Sequence, residues 1–289
     1  MNSTKKEFYY NGKTGIALTR AFEKKLLAKY SVNIGSICHF ACSFCYGPTV
    51  TSKQKVIQDI LSQGYNIEDV SCYRYSDNVL ECISRDLRKI KPDDTGYVFF
   101  CTTCDPCATL EHADITVQAI KLIMQGSNLQ VRVLSKSTNI TCVAKSLFEY
   151  KNRIVYRLSS GTTSSDISKA IEGGVSDISE RVDALQWLQK KGFRTFGMIC
   201  PVLPSEVDKI AQLLDQVRPE HCEGIWAEAI NIRGKSLINT YSKLMAAGLH
   251  DQATELQRVM GDQTAWIEYS KRLFLGFQHE LRNRGLLEH

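Results

Sequence analysis

The sequence predicts an α/β fold, an incomplete six-stranded parallel (β/α)6 TIM-like barrel with helices added at both ends, and three observations carry that expectation. Six β-rich runs alternate with segments of helical spacing, the pattern of a parallel sheet covered by helices. The runs holding Val98-Phe99-Phe100 and Val131, Val133 and Leu134 are apolar or β-branched enough to be buried on both faces. After Ile230 the chain reads as helices only. The two further βα units of a full eight-fold barrel are not found, and a partial barrel fits better than a doubly wound sheet.

The elements follow in order. Residues 1–29 are an N-terminal extension that opens on polar Met1-Asn2-Ser3-Thr4-Lys5-Lys6-Glu7, with no apolar run of the signal-peptide kind. Residues 30–234 hold the barrel, with extended runs at 30–36, 97–101, 130–135, 153–159, 194–200 and 224–230. Helices are expected at 112–125, 177–191 and 205–217. The clearest spans 177–191, where Ile178, Val182, Leu185 and Leu188 form one stripe. Asp177 and Glu180 have capping-box spacing there, and Gly192 is a natural stop. Residues 235–286 are a C-terminal helical extension with helices near 235–260 and 264–284. Leu287-Glu288-His289 reads as a tag remnant and is set aside.

The chain has 289 residues, 43% of them hydrophobic, which excludes wholesale disorder. No stretch approaches the roughly 18 apolar residues of a membrane span, so no membrane partner is expected and the location expected is cytoplasmic. In that reducing compartment, 11 cysteines point to metal binding or catalysis rather than a disulfide framework, and an odd count argues against complete pairing. Six of them form two clusters, Cys38, Cys42 and Cys45, then Cys101, Cys104 and Cys107. Cys72, Cys82, Cys142, Cys200 and Cys222 stand singly and read as small buried residues. Both clusters follow β-rich runs, where the active site of an α/β protein sits.

The first cluster, Cys38-His39-Phe40-Ala41-Cys42-Ser43-Phe44-Cys45-Tyr46, has C-x3-C-x2-C spacing. Thiolates suit an iron–sulfur cluster or zinc, and one loop of this spacing wraps three of them around a single centre. Three ligands with no nearby fourth cysteine leave one iron of a [4Fe–4S] cube open. A zinc loop with a distant fourth ligand and a chance match of spacing are the competing readings.

With its aromatic Phe44 before the last cysteine, this loop resembles the signature of the radical S-adenosylmethionine (SAM) superfamily. The resemblance implies a [4Fe–4S] cluster on Cys38, Cys42 and Cys45, SAM on its open iron, and a 5′-deoxyadenosyl radical that takes a hydrogen atom from substrate. It also implies an electron donor such as a flavodoxin or ferredoxin. From about Asn33 to Gly234 further segments look like the spore photoproduct lyase and DNA-repair-photolyase-like branch. Cys45-Tyr46 matches the close of its cluster loop, and Thr103-Cys104-Asp105-Pro106-Cys107-Ala108-Thr109-Leu110-Glu111 its T-D-P-x-x-x-x-E with an inserted cysteine. Val133-Leu134-Ser135-Lys136, Arg157-Leu158-Ser159-Ser160 and Trp226-Ala227-Glu228-Ala229-Ile230-Asn231-Ile232-Arg233-Gly234 follow in the same order. The implied cofactor-binding residues are Phe44, Tyr46, Lys136, Ser159, Ser160, Glu228, Asn231 and Arg233. Bland readings stand beside them: Lys136 as a solvated strand-end lysine, Ser159 and Ser160 as turn residues, and Glu228 with Arg233 as an ion pair across the barrel mouth.

The second cluster departs from the branch pattern. One thiol there, Cys101 ahead of Cys104, is placed as a hydrogen-atom donor by the resemblance. C-x2-C-x2-C spacing also permits an auxiliary cluster or zinc on Cys101, Cys104 and Cys107, and filler is the third reading. The expected substrate is a nucleic acid or nucleotide, repaired or modified. A basic N-terminal region (Lys5, Lys6, Lys13, Arg20, Lys24, Lys25 and Lys29) and a net charge of +5 are compatible with phosphate contacts. Two alternatives remain, a radical SAM enzyme on a small metabolite or peptide, and a non-enzymatic metal–cysteine binding module.

Overall fold

A computed structural model describes residues 5–287; Met1 to Thr4 of the extension and Glu288 and His289 of the tag remnant lie outside the described residues. Four strands pair in parallel in chain order: β1 (Tyr30–Val32), β2 (Tyr97–Phe100), β3 (Gln130–Ser135) and β4 (Ile154–Leu158). The short β5 (Arg194–Thr195) continues beside β4. At Phe196 the chain changes partners: the Phe196 amide still donates to Tyr156, but the Gly197 amide donates to Gly224. Hence β6 (Gly197–Val202) pairs in parallel with β7 (Ile225–Ala229), and a single Ser159–Met198 bridge joins it back to the first sheet. All six expected β-rich runs are present and consecutive, the 194–200 run being split by that switch.

The register decides the two faces. Ser31, Phe99 and Arg132 are aligned across β1 to β3, as are Leu134 and Arg157 across β3 and β4. The alternate residues Val32, Val98, Phe100, Val131, Val133 and Tyr156 are at most 0% exposed and belong to the main apolar core. Helices cover that face: α1 (Ser76–Leu87), α2 (Leu110–Gly126), α3 (Ile140–Ser146), α4 (Ser165–Ile171), α5 (Ile178–Lys190) and α6 (Ile210–Val217). Arg157, on the other face, is fully buried with its guanidinium 4.1 Å from the Phe196 ring centroid and 5.6 Å from that of Phe99. Cation–π contact there replaces hydrogen bonds to solvent. The C-terminal extension consists of α7 (Ser236–Ala246), α8 (His250–Met260) and α9 (Gln263–Asn283).

Several boundaries differ from expectation. The 30–36 run stops at Val32, and Gly35–Ile37 instead pairs antiparallel with Val70–Arg74. Lys6–Tyr10 lies parallel to the other edge of Val70–Arg74, so part of the N-terminal extension is the edge of a three-stranded sheet. The 205–217 helix begins as a 3-10 turn at Pro204–Lys209, and the 235–260 helix is broken before α8 at Gly248, whose φ is +73°. In α5 the capping box of Asp177 and Glu180 is present, but Arg181 rather than Val182 is the buried residue of the stripe. No helix of the described residues is long and apolar enough to cross a membrane.

Candidate active site

The first cysteine loop leaves the C-terminal end of β1 and is pinned on its far side. Ala41–Cys42 pairs antiparallel with Glu172–Gly173, and the Ser43 amide donates to the Ile171 carbonyl at 2.8 Å. Ser43 Oγ also meets Thr240 Oγ1 of α7 at 3.0 Å. Backbone amides point at the sulfurs: Phe40 N and Asp105 N lie 3.4 and 3.3 Å from Cys38 Sγ, and Gly47 N lies 3.3 Å from Cys45 Sγ. Burial pushes the Cys38 thiol up to about 12 and raises Cys42 and Cys45 as well. Such thiols ionise only when a metal takes the proton's place, and N–H donors aimed at sulfur favour the resulting thiolate. The donor set therefore fits an iron–sulfur cluster. Among the described residues no three His, Cys, Asp or Glu side chains converge on one ion, as a single zinc would require. A cube asks for less, since each thiolate binds a different iron.

The second cysteine segment crosses directly over this loop. Its fold is set by Cys101, whose φ of +65° ends β2, and by Asn33 of the β1 end. Asn33 Oδ1 accepts from Thr102 N at 2.7 Å and from Thr103 Oγ1 at 3.3 Å. Cys101, Cys104 and Cys107 all lie in the apolar core, Cys107 at 0% exposure. Burial raises Cys104 well above the ordinary thiol range, and the neighbouring Cys101 thiol adds to the rise. Nothing in this enclosed segment supports an auxiliary cluster. Asp105 is the link between elements: Oδ1 accepts from Cys107 N at 2.8 Å and Ser135 Oγ at 2.7 Å, and Oδ2 from Lys136 N at 2.7 Å. Burial pushes its carboxyl up, and these three donors oppose that.

Lys136 is not a solvated strand-end lysine. Its ammonium sits 2.6 Å from Glu172 Oε1, 3.1 Å from Ser159 Oγ and 3.3 Å from the Cys200 carbonyl, and 5.4 Å from the centroid of Phe44. Glu172 also accepts from Arg181 Nη2 at 2.6 Å and Ser168 Oγ at 2.7 Å. Burial would raise this carboxyl, but Lys136 and then Arg181 outweigh it and hold it at about 2. Ser159 lies inside the network, donating to Cys200 at 2.8 Å. Ser160 turns away from it, its hydroxyl 3.1 Å from the Thr162 carbonyl. Tyr46 donates to the Thr102 carbonyl at 3.1 Å and so ties the two cysteine segments together.

The third expected group lies at the end of β7. Glu228 faces Cys200, whose Sγ is 3.6 Å from Oε2, but its ion pair is with Lys25 at 3.3 Å and not with Arg233. Just after Lys25, the Leu26 carbonyl accepts from Arg132 Nη1 of β3 at 3.0 Å. Asn231 Oδ1 accepts from the Arg233 amide at 2.8 Å, which shapes the turn, and Arg233 itself is exposed. Gly234 has φ +60°, and a Cβ there would stand 2.2 Å from Thr49 Oγ1, so only glycine closes this turn against the cluster loop. Of the five single cysteines, Cys72 and Cys82 are buried as expected. Cys142 is exposed, Cys222 is half-buried, and Cys200, also half-buried, belongs to the site.

Sequence reasoning gave no role to Asn33, Asp105, Glu172 or Arg181. Asp105 could have been found, because it occupies the acidic position of the segment that resembles T-D-P-x-x-x-x-E. Glu172 and Arg181 gave no local signal, since charged residues on helix-rich segments ordinarily face water.

A family model described as the radical SAM superfamily matches residues 32–217, more than half of the chain. No curated protein sequence matches it. Among solved structures, a spore photoproduct lyase variant with bound AdoMet and dinucleoside spore photoproduct is similar with a TM-score of 0.56 at 12% identity, over 82% of this chain and 66% of that one. A second such variant with dinucleoside spore photoproduct gives 0.53 at 12% identity, over 73% of this chain and 57% of that one. The chain thus spans less than two thirds of the length of these structures.

Proposed function

The chain belongs to the radical SAM superfamily and is an enzyme, and we propose that it binds one [4Fe–4S] cluster and SAM and acts on a nucleic acid or nucleotide. The observation that carries the cluster is the Cys38–Cys45 loop, three half-buried thiols with backbone amides aimed at Cys38 and Cys45. When bound, the cluster and SAM supply a 5′-deoxyadenosyl radical able to take a hydrogen atom from substrate. The chain's own residues do the rest. Cys38, Cys42 and Cys45 hold the cluster, and Phe44 and Tyr46 close its loop against Lys136 and Thr102. Lys136, Ser159 and Glu228 would line the cofactor space at the ends of β3, β4 and β7, while Ser160 and Asn231 shape the adjoining turns and Arg233 is exposed beyond them. Within it, Lys136 and Ser159 are held in place by Glu172 and the Cys200 carbonyl.

We assign the six parallel strands to a partial barrel whose seam, between β1 and β7, is occupied by Lys25 and the residues after it. The hydrogen-atom donor would be Cys101, with Cys104 close by: its S–H bond breaks as a C–H bond forms on the substrate radical, and the unpaired electron passes to the Cys101 sulfur. The similar spore photoproduct lyases hold a dinucleoside, and this supports a nucleotide substrate here. A low-potential electron carrier of the flavodoxin or ferredoxin kind is the expected partner, and a cytoplasmic setting suits the chemistry.

The test is anaerobic reconstitution, reduction, and assay of 5′-deoxyadenosine release from SAM, with and without an oligonucleotide. Release that the oligonucleotide stimulates, with binding that weakens steeply as salt rises, is the expected result. Stimulation by small metabolites or peptides alone would move the assignment to those substrates. No release at all would leave only a metal–cysteine binding module.

A further inference from the structure

A pocket of about 340 Å3 opens between the N-terminal strap at residues 12–17 and the C-terminal end of β1. Its walls carry the uncharged polar groups of Tyr10, Ser31, Asn33, Ser36 and Gln54, with Thr103 contributed by the second cysteine segment. Asn33 belongs to the pocket and also holds Thr102 and Thr103, so one wall is continuous with the segment that carries Cys101 and Cys104.

The charge of the pocket is one-sided. Lys13 and Arg74 line it, and among the described residues no carboxylate does. Arg74 is 4% exposed, yet each of its hydrogen bonds ends on a neutral oxygen: Asn78 Oδ1 at 2.7 Å, the Thr14 carbonyl at 2.7 Å, and the Asn33 and Asn78 carbonyls at 3.4 Å. The nearby Asp86 does not compensate it, being held by Arg85 at 3.2 Å and Lys89 at 2.9 Å. A buried guanidinium with neutral partners keeps its field and attracts an anion. Three other N-terminal cations are already engaged, Lys5 with the Cys38 and Phe40 carbonyls, Lys25 with Glu228 and Lys29 with Asp94. Lys13 is exposed at the pocket rim.

The strap is rigid. The Gly12 amide donates to Asn78 Oδ1 at 2.8 Å, the Gly15 amide to Asp86 Oδ2 at 2.7 Å, and Arg85 Nη2 reaches the Lys13 carbonyl at 2.6 Å. A Cβ on Gly12 would stand 2.5 Å from Arg74 Nε, so glycine is what lets the strap lie on the guanidinium. The strap precedes residues 32–217, the span that the family model matches.

We propose that this pocket binds one nucleotide unit of the substrate, its phosphate towards Lys13 and Arg74 and its sugar and base against Asn33, Ser36 and Gln54. The inference rests on the nucleotide reading of the function and adds where that unit is held. A preformed cavity of this size, with convergent polar groups and two cations, suits a ligand of mononucleotide dimensions.

Calorimetric titration of the full chain tests it, with inorganic phosphate, the four common 2′-deoxynucleoside 5′-monophosphates, their nucleosides and a short oligonucleotide as probes. The variants are Ala17→Leu, which fills the pocket from the edge, Lys13→Ala at the exposed rim, and Lys271→Ala on α9 as a control outside it. Expected is binding of a monophosphate or the oligonucleotide about tenfold tighter than the nucleoside, weakened about tenfold by Ala17→Leu and several-fold by Lys13→Ala, and unchanged in Lys271→Ala. A monophosphate that binds alone marks a free nucleotide as the ligand, and tighter oligonucleotide binding marks a unit within a strand. Wild-type nucleotide binding that neither pocket variant alters would overturn the pocket while leaving the nucleotide reading intact. Absence of nucleotide binding to the wild type would overturn both.

Discussion

Lys136 Nζ and Arg181 Nη2 each lie 2.6 Å from an oxygen of Glu172, so a single buried carboxylate is shared by two cations from different elements. All three side chains are largely withdrawn from water, at 14%, 1% and 3% exposure for Lys136, Arg181 and Glu172. The triad joins the end of β3, the strand that pairs with Cys42, and α5, and it fixes Lys136 beside the cluster loop. Removing the shared anion is therefore worse than removing either cation. Glu172→Gln is expected to cost about 3–5 kcal/mol, because two buried charges lose their partner, and Lys136→Met markedly less. Urea unfolding of the two variants checks the order; a larger loss from Lys136→Met would show that Arg181 does not depend on Glu172.

Asp105 accepts three hydrogen bonds that connect the ends of β2 and β3. Asp105→Asn replaces one acceptor by a donor facing another donor, which leaves a buried group unpaired at a cost of about 1–3 kcal/mol. Thermal unfolding should show that loss, while iron content after reconstitution stays near wild type, since Cys38 receives the backbone amide of residue 105 and not its side chain.

Asp86 supplies a pH dependence. Burial alone would raise its carboxyl, but hydrogen bonds from Arg85, Lys89 and the Gly15 and Ile16 amides outweigh it and hold it below its ordinary value of 3.8. A group depressed on folding stabilises the protein above its unfolded value and loses that contribution as pH falls through it. Stability should therefore drop below about pH 4 more steeply in the wild type than in Asp86→Asn, measured between about pH 6 and pH 2. Parallel acid limbs for the two proteins would remove Asp86 as the cause.

The two cysteine segments should separate by iron content. Alanine at Cys38, Cys42 and Cys45 together is expected to abolish the brown chromophore. Alanine at Cys101, Cys104 and Cys107 together should leave about four irons per chain, where an auxiliary cluster would have raised the wild type to about eight. Cys101→Ala alone is expected to keep 5′-deoxyadenosine release while losing the normal product.

Much of this protein was legible along the chain. The alternation of β-rich and helical segments, the Asp177 capping box and the C-x3-C-x2-C loop are local patterns, set by spacing and propensity over a few residues. They were enough to place the chain in an α/β fold and to bring its cysteines to strand ends. The tertiary structure alone decided what those ends face. The burial of Arg181, the sharing of Glu172, the ion pair of Glu228 with Lys25 and the pocket under the Gly12 strap each join residues far apart in sequence. Burying a charge depends on which partner folding delivers to it, and no local pattern encodes that. The sequence by itself determined the chemistry that three thiols can support; the packing of distant segments decided which charges surround them and where a substrate finds room.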